Sequence, residues 1–312
     1  MIDYTYLYRD VVTAADLATG GWDVLISAYN PSERVRTVFE AADAHQKDWL
    51  VHSEYGLATD KLPKLAFSCQ SEREDEYVVD YAEARLPGSD FSSISFCIDL
   101  TGLMRPHLLY LVKYLSLRGA KRFDAIYAEP GHYSHLDATN FASEQVHTVR
   151  QVAGYEGITV NDTSNDVLLI FAGFEDKLTA EVAEDKGKAR KILLQGLPSL
   201  KADMYQQSVL RTQKANDALG VGVKRAFAPA GDPFATATVL SGVIEHERNA
   251  RGIGNLYLSP LSTKPSTLGF ALYYIRECEG SAVSVIYPFS AGYASDASEG
   301  VGRIWRYAVE LQ

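Results

Sequence analysis

Short apolar runs that end in polar turn residues recur along the chain, each followed by a stretch with helical spacing. The first is Asp23-Val24-Leu25-Ile26-Ser27-Ala28-Tyr29-Asn30. A helix is predicted from Ser32, with Val35, Val38 and Phe39 on one face, before a second apolar run from Trp49 to Val51. The same succession returns as Asp166-Val167-Leu168-Leu169-Ile170-Phe171-Ala172-Gly173, a helical stretch from Asp176, and Ile192-Leu193-Leu194. Asp23 to Lys47 spans 24 positions and Asp166 to Lys191 spans 25, so a strand–helix–strand unit occurs twice.

A second pair of segments strengthens the repeat. The run Ile94 to Ile98 leads through Asp99-Leu100-Thr101-Gly102-Leu103-Met104-Arg105-Pro106 into a leucine-rich helix, the strand Ala125-Ile126-Tyr127, and then Pro130, Gly131 and Tyr133. Leu256 to Leu258 leads through Ser259-Pro260-Leu261-Ser262-Thr263-Lys264-Pro265 into an apolar helix, Val285-Ile286-Tyr287, and then Pro288, Gly292 and Tyr293. Arg105 to Tyr127 is 22 positions and Lys264 to Tyr287 is 23. Alternating apolar runs and helical patterns predict βαβ units around a mainly parallel sheet. Runs without polar interruption fit strands covered by helices on both faces. The expected fold is α/β, with two tandem Rossmann-like three-layer units arising from an internal duplication. The halves are expected at 1–157 and 158–312, divided at the polar stretch Gly157 to Asn165. Ser68 to Asp75 reads as an excursion in the first half, and Gly231 to Gly254 as an inserted helix and loops in the second.

Composition narrows the function classes. Hydrophobic residues at 46% and charged residues at 22% fit a globular chain. A formal charge of −10 argues against gripping nucleic acid as the main task, although a local basic patch is compatible with it. Cys69, Cys97 and Cys278 are too scattered for a disulfide framework or a zinc cluster, and Cys97 fits a buried inert thiol. The N-terminal residues carry no targeting pattern, and no run approaches the roughly 20 apolar residues of a membrane span. The cytoplasm is therefore the expected location, with no membrane partner.

In open α/β sheets ligands collect where loops leave the carboxyl ends of strands. The sharpest such loop is Ser262-Thr263-Lys264-Pro265-Ser266-Thr267, where hydroxyls, the Lys264 ammonium and a helix N-terminus suit a phosphate or carboxylate. A self-capped helix with a solvated lysine accounts for the same residues. Arg105, with Thr101 before it, is the first-half counterpart and can fork onto an anion or simply open a helix. Asp99 ends an apolar strand, where it can orient a hydroxyl, act as a base or cap a turn. Glu129, His132 and Tyr133 place an acid, an imidazole and a phenol close enough for general acid/base work, or form an ordinary surface loop. Tyr287 and Tyr293 are the corresponding side walls in the second half, and Glu175 and Lys177 follow Gly173 at a strand end. No metal spacing, nucleophile elbow or dinucleotide fingerprint is present, and no cofactor is assigned.

Trp22-Asp23-Val24-Leu25-Ile26-Ser27-Ala28-Tyr29 resembles the opening strand of Toll/interleukin-receptor domains. A pair of Rossmann-like units is also similar in architecture to the dimeric nucleotide-sensing domains of CRISPR-associated proteins. That likeness implies a sensor in a bacterial defence or stress system. The leading expectation is a ligand-binding module that receives an anionic ligand, a nucleotide or other phosphorylated molecule, in a cleft between the halves, around Arg105 and Lys264. The alternatives are an enzyme acting on a nucleotide or sugar phosphate, with Asp99, Glu129 and His132 as acid/base groups, and a scaffold that docks a protein partner.

Overall fold

Strands that are apolar at nearly every position must be covered on both faces, and the chain supplies that cover by alternating strands with helices. The computed structural model describes residues 3–4, 6–69, 71–133, 146–201, 204–290, 292 and 298–311. From the N-terminus come β1 (Arg9–Val12), α1 (Ala14–Leu17), β2 (Trp22–Ala28), α2 (Glu33–Ala41) and β3 (Ala44–Val51). Next are β4 (Phe67–Ser68), α3 (Glu74–Arg85), β5 (Phe96–Asp99), α4 (Arg105–Leu117) and β6 (Arg122–Tyr133). Then follow β7 (Val146–Gln151), β8 (Val167–Phe171), α5 (Asp176–Asp185), β9 (Arg190–Gly196), α6 (Met204–Lys214), α7 (Asn216–Leu219) and β10 (Lys224–Ala228). The last elements are α8 (Pro233–Arg251), β11 (Leu256–Pro260), α9 (Lys264–Tyr273), β12 (Val283–Ser290) and β13 (Ser298–Glu310).

Among the described residues these strands form two sheets. The seven-stranded sheet has the order β4-β3-β2-β5-β6-β13-β1, and the six-stranded sheet the order β10-β9-β8-β11-β12-β7. In the first, β4 to β6 run parallel, while β13 pairs antiparallel with β6 and β1 antiparallel with β13. In the second, the strands from β10 to β12 are parallel and β7 joins β12 antiparallel. Both sheets therefore build outward from a first strand, reverse after the third, and add the fourth and fifth on the other side. This is a Rossmann-like arrangement.

Burial follows the pattern of the strands. All residues of β5 and β8 are buried. In the seven-stranded sheet Trp22, Leu25, Cys97, Ile126 and Ile304 pack with Val38 of α2 into one core cluster. The Cys97 thiol is pushed well above its ordinary pKa by burial, which keeps it neutral and inert.

The chain divides into two compact units, but not by a single cut between 157 and 158. One unit comprises Leu7–Ser143 with Gly292–Gln312, the other Met1–Tyr6 with Glu144–Ala291. The reason is an exchange of antiparallel strands, β7 at the edge of the second sheet and β13 between β6 and β1 in the first. The chain leaving β6 of the first unit next forms β7, which joins the second sheet, and the chain leaving β12 next forms β13, which joins the first. Two segments read as excursions also belong to the framework. Ser68 to Asp75 contains the end of edge strand β4 and the start of α3, and Gly231 to Gly254 is dominated by the 19-residue crossover helix α8.

Candidate functional site

The reversal of strand order in the first unit falls between β2 and β5, so the loops leaving these strands separate there. Gly102 lies in the loop after β5, and a Cβ at this position would overlap the carbonyl oxygen of Ala28 at the end of β2. The Tyr55 hydroxyl fixes the same loop by donating to the Gly102 carbonyl at 2.7 Å. Asp99 and Ser27 face each other in register, and the Ser27 hydroxyl donates to the Asp99 carboxylate at 2.8 Å. The Thr101 amide donates to the other Asp99 oxygen at 2.9 Å, and the Thr101 hydroxyl accepts from the Ala128 amide at 3.0 Å. Asp99 is fully buried, and desolvation raises its pKa above the ordinary carboxylate value against these hydrogen bonds and the charge of Arg34. Asp99 and Thr101 thus brace the turn.

Two arginines stand at the helix starts beside this turn. Arg34 is in the first turn of α2 and donates to the Ala128 carbonyl at 2.9 Å, and Arg105 is the first residue of α4. A cation at a helix N-terminus opposes the macrodipole, a position that suits a charge meant to meet an anion. Neither helix closes its N-terminus with a side chain: Ser32 and Met104 make no cap hydrogen bond. The Ser32 hydroxyl is buried and has no hydrogen-bond partner among the described residues. The exposed Glu33 is the one acidic residue in the first turn of α2.

Both guanidinium groups lie within electrostatic reach of two phenols. Burial pushes the Tyr55 hydroxyl up to about 12, opposed by a hydrogen bond with Asn30 and by the charges of Arg34 and Arg105. Burial also raises Tyr127, again against both arginines. The result is a pair of neutral phenols, a pair of cations and two open helix starts around one strand-end turn. It can bind an anion and stack or hydrogen-bond a neighbouring group.

The acid/base candidates are arranged differently. Glu129 is buried, and both carboxylate oxygens are occupied: Arg303 donates to them at 3.0 and 3.2 Å and the Trp305 indole donates at 2.8 Å. Glu129 therefore ties β6 to β13. His132 is exposed near the end of β6, opposite Glu299 of β13. Tyr133 ends β6, and its side chain lies outside the described residues.

The second unit reverses between β8 and β11. Gly173 plays a part similar to Gly102, since a Cβ there would overlap the Leu261 carbonyl oxygen. The hydroxyl-rich loop is largely closed on itself. Thr263 caps α9 by accepting from the Ser266 amide at 3.2 Å, and its hydroxyl donates to the Ala230 carbonyl. The Ser266 and Thr267 hydroxyls both donate to the Thr263 carbonyl, at 2.7 and 3.0 Å. Ser262 is buried, and Lys264 is half-buried at the first position of α9. Glu175, nearly buried, sits at the N-cap of α5 and presents a carboxylate instead of an arginine; Lys177 follows in the first turn. Tyr287 is buried with its ring 5.5 Å from that of Phe289, and Tyr293 lies outside the described residues.

Arg105, Thr101 and Asp99, expected from the sequence, stand around this turn together with Arg34, Tyr55 and Ser32, which the sequence does not single out. The available signal for Arg34 was a basic residue two positions after the helix-starting Ser32, where the dipole disfavours it. Tyr55 had no such signal, because it reaches the site from the loop after β3. Among the described residues no cluster of three or more His, Cys, Asp or Glu side chains is arranged to hold a metal, and no helix is long and apolar enough to cross a membrane. The chain matches no protein-family model and no curated protein.

Proposed function

We propose that the protein is a ligand-binding sensor whose first unit receives an anionic ligand, a nucleotide or other phosphorylated molecule, at the β2/β5 strand-end turn. One observation carries this reading: Arg34 and Arg105 both stand at helix starts that lack a side-chain cap, beside the point where the strand order reverses. The phosphate would lie between the guanidinium groups at the starts of α2 and α4. Tyr55 and Tyr127 would border the remainder of the ligand. Lys264 has a secondary role, because the hydroxyls around it already serve α9. The shared strand order of the two sheets supports descent from a duplicated unit, with anion recognition retained chiefly in one copy. A place in a defence or stress system follows only from the architectural likeness to nucleotide-sensing domains.

The test is a thermal-shift screen of the full chain against nucleotides, cyclic nucleotides and sugar phosphates. A ligand at about a hundred times its Kd adds roughly 2.7 kcal/mol of stability. A shift that disappears in Arg105→Ala supports the site. A shift that Arg105→Ala and Arg34→Ala both leave intact rules it out.

A further inference from the structure

The second unit carries a groove at the opposite ends of its strands from the loops around Gly173 and Thr263. It lies where β9 and β10 begin, at the amino ends of these parallel strands, against the last turn of α8, and encloses about 660 Å³. That volume falls within the range of small-molecule sites. Its walls hold Arg190, Lys191, Lys224 and Arg251, with Glu247 as the only carboxylate among the lining residues. Four cations against one carboxylate form a strongly positive patch on a chain whose formal charge is −10.

The contacts within the groove leave that excess in place. Glu247 is buried and shared by two of the cations, with Arg190 at 3.3 Å and Lys224 at 3.4 Å. Arg190 also donates to the Gly252 carbonyl at 2.6 Å, while its Nε is buried with no hydrogen-bond partner among the described residues. Lys191 donates to the Gly187 and Ala189 carbonyls at 3.1 and 3.4 Å, and desolvation lowers its pKa. The carbonyl end of α8 accounts for part of the positive charge, since Arg251 complements the dipole there. It does not account for four cationic residues lining one concave surface with a single carboxylate. An anion in the groove would offset the self-repulsion and the desolvation of Lys191.

We propose that this groove is a second ligand site, which takes a phosphorylated small molecule of nucleotide size. The phosphate would meet Arg190, Lys191, Lys224 and Arg251. The less polar part would lie on Leu219, Val221 and Val223, which line the same groove; Val221 is fully exposed. A nucleic-acid strand fits less well, because no Phe, Tyr or Trp is among the lining residues to form a platform for successive bases, and His246 supplies one imidazole alone. This site is independent of the Arg34 and Arg105 reading, as it lies in the other compact unit.

Isothermal titration of the full chain with AMP at low ionic strength tests the proposal. Binding should persist in Arg34→Ala/Arg105→Ala and weaken more than about tenfold in Lys191→Glu/Arg251→Glu, and it should fall with added salt. Adenosine, which lacks the phosphate, should bind at least about tenfold more weakly than AMP. Arg251→Gln, at an exposed helix end, gives the same direction with a smaller loss and keeps the test available if the double variant does not fold. The proposal is overturned if AMP does not bind at about 5 mM, a limit weaker than ordinary metabolite sites. It is equally overturned if charge reversal leaves affinity unchanged, or if binding is lost only in Arg34→Ala/Arg105→Ala.

Discussion

The two strand-end turns share one topology and differ in chemistry. Each forms where the first and fourth strands of a parallel sheet part, and each depends on a glycine at a close loop crossing, Gly102 in one and Gly173 in the other. In the first unit the register places Ser27 beside Asp99, and the two flanking helices carry Arg34 and Arg105 in their first turns and have no side-chain cap. In the second the corresponding register pairs Ile170 with Ser259, one flanking helix is preceded by Glu175, and the other is capped by Thr263. A helix start already satisfied by its own hydroxyls has little left to offer a ligand. The second turn thus has one capped helix, α9, and one uncapped helix, α5, preceded by a carboxylate, whereas the first has two uncapped helices with arginines in their first turns; the difference lies in a few side chains at helix starts.

The comparison breaks most readily at the arginines. Loss of one charge-assisted hydrogen-bonding group costs roughly 1.5–3 kcal/mol, so Arg105→Ala should weaken an anionic ligand about tenfold to a hundredfold. Lys264→Ala should change the same affinity by less than about threefold. Equal losses from both variants, measured by titration calorimetry, would mean that the two turns are equivalent after all.

Next in size is Gly102→Ala. The added methyl overlaps the Ala28 carbonyl, and relief requires a backbone shift costing about 1–3 kcal/mol. Chemical denaturation should show that loss, together with weaker ligand binding because the loop before Arg105 moves. Similar stability for Gly102→Ala and wild type would show that the crossing can relax freely.

Glu129→Gln separates bracing from catalysis. The variant loses the charged clamp to Arg303 and one acceptor, so stability should drop by roughly 1–3 kcal/mol. Ligand affinity of the folded protein should stay within about twofold, since both carboxylate oxygens are engaged by Arg303 and Trp305 and Glu129 reaches Tyr127 only through its charge. Loss of a measured turnover without loss of stability would instead return Glu129 to the enzyme reading.

The smallest expected effect is a change in pH dependence at Asp99. Its native pKa is raised above the reference value of 3.8, so the folded state holds the proton more tightly than the unfolded chain. Stability from this group is present below about pH 3.8 and declines as pH rises through the native pKa. Asp99→Asn should remove that decline, seen as a flatter difference in unfolding free energy between acid and neutral pH. An unchanged slope would place Asp99 in a solvated setting.

Much of this was legible in the chain. Strands β2, β5, β8 and β11 are buried and apolar at most positions because helices cover both faces, so the α/β class follows from hydrophobic pattern alone. Arg105, Thr101 and Asp99 were readable as a strand-end group because they are near one another in sequence. Strands β7 and β13 carried no comparable signal. They pair antiparallel with β12 and β6, which are more than 100 residues away in sequence, and pairing across such distances leaves no local periodicity. The domain boundary inherited the same blindness, since it depends on which sheet each of these two strands joins.

What the sequence determined by itself is therefore the class of fold and the positions of its central strands, because burial on both faces imposes a local pattern. Tertiary structure decided the rest. It brought Arg34 and Tyr55 to the same turn as Arg105, closed the Thr263 loop on its own carbonyls, engaged Glu129 with Arg303 and Trp305, and gathered Arg190, Lys191, Lys224 and Arg251 around one groove. Whether a polar side chain is available to a ligand depends on what already holds its donors and acceptors, and those partners come from distant parts of the chain.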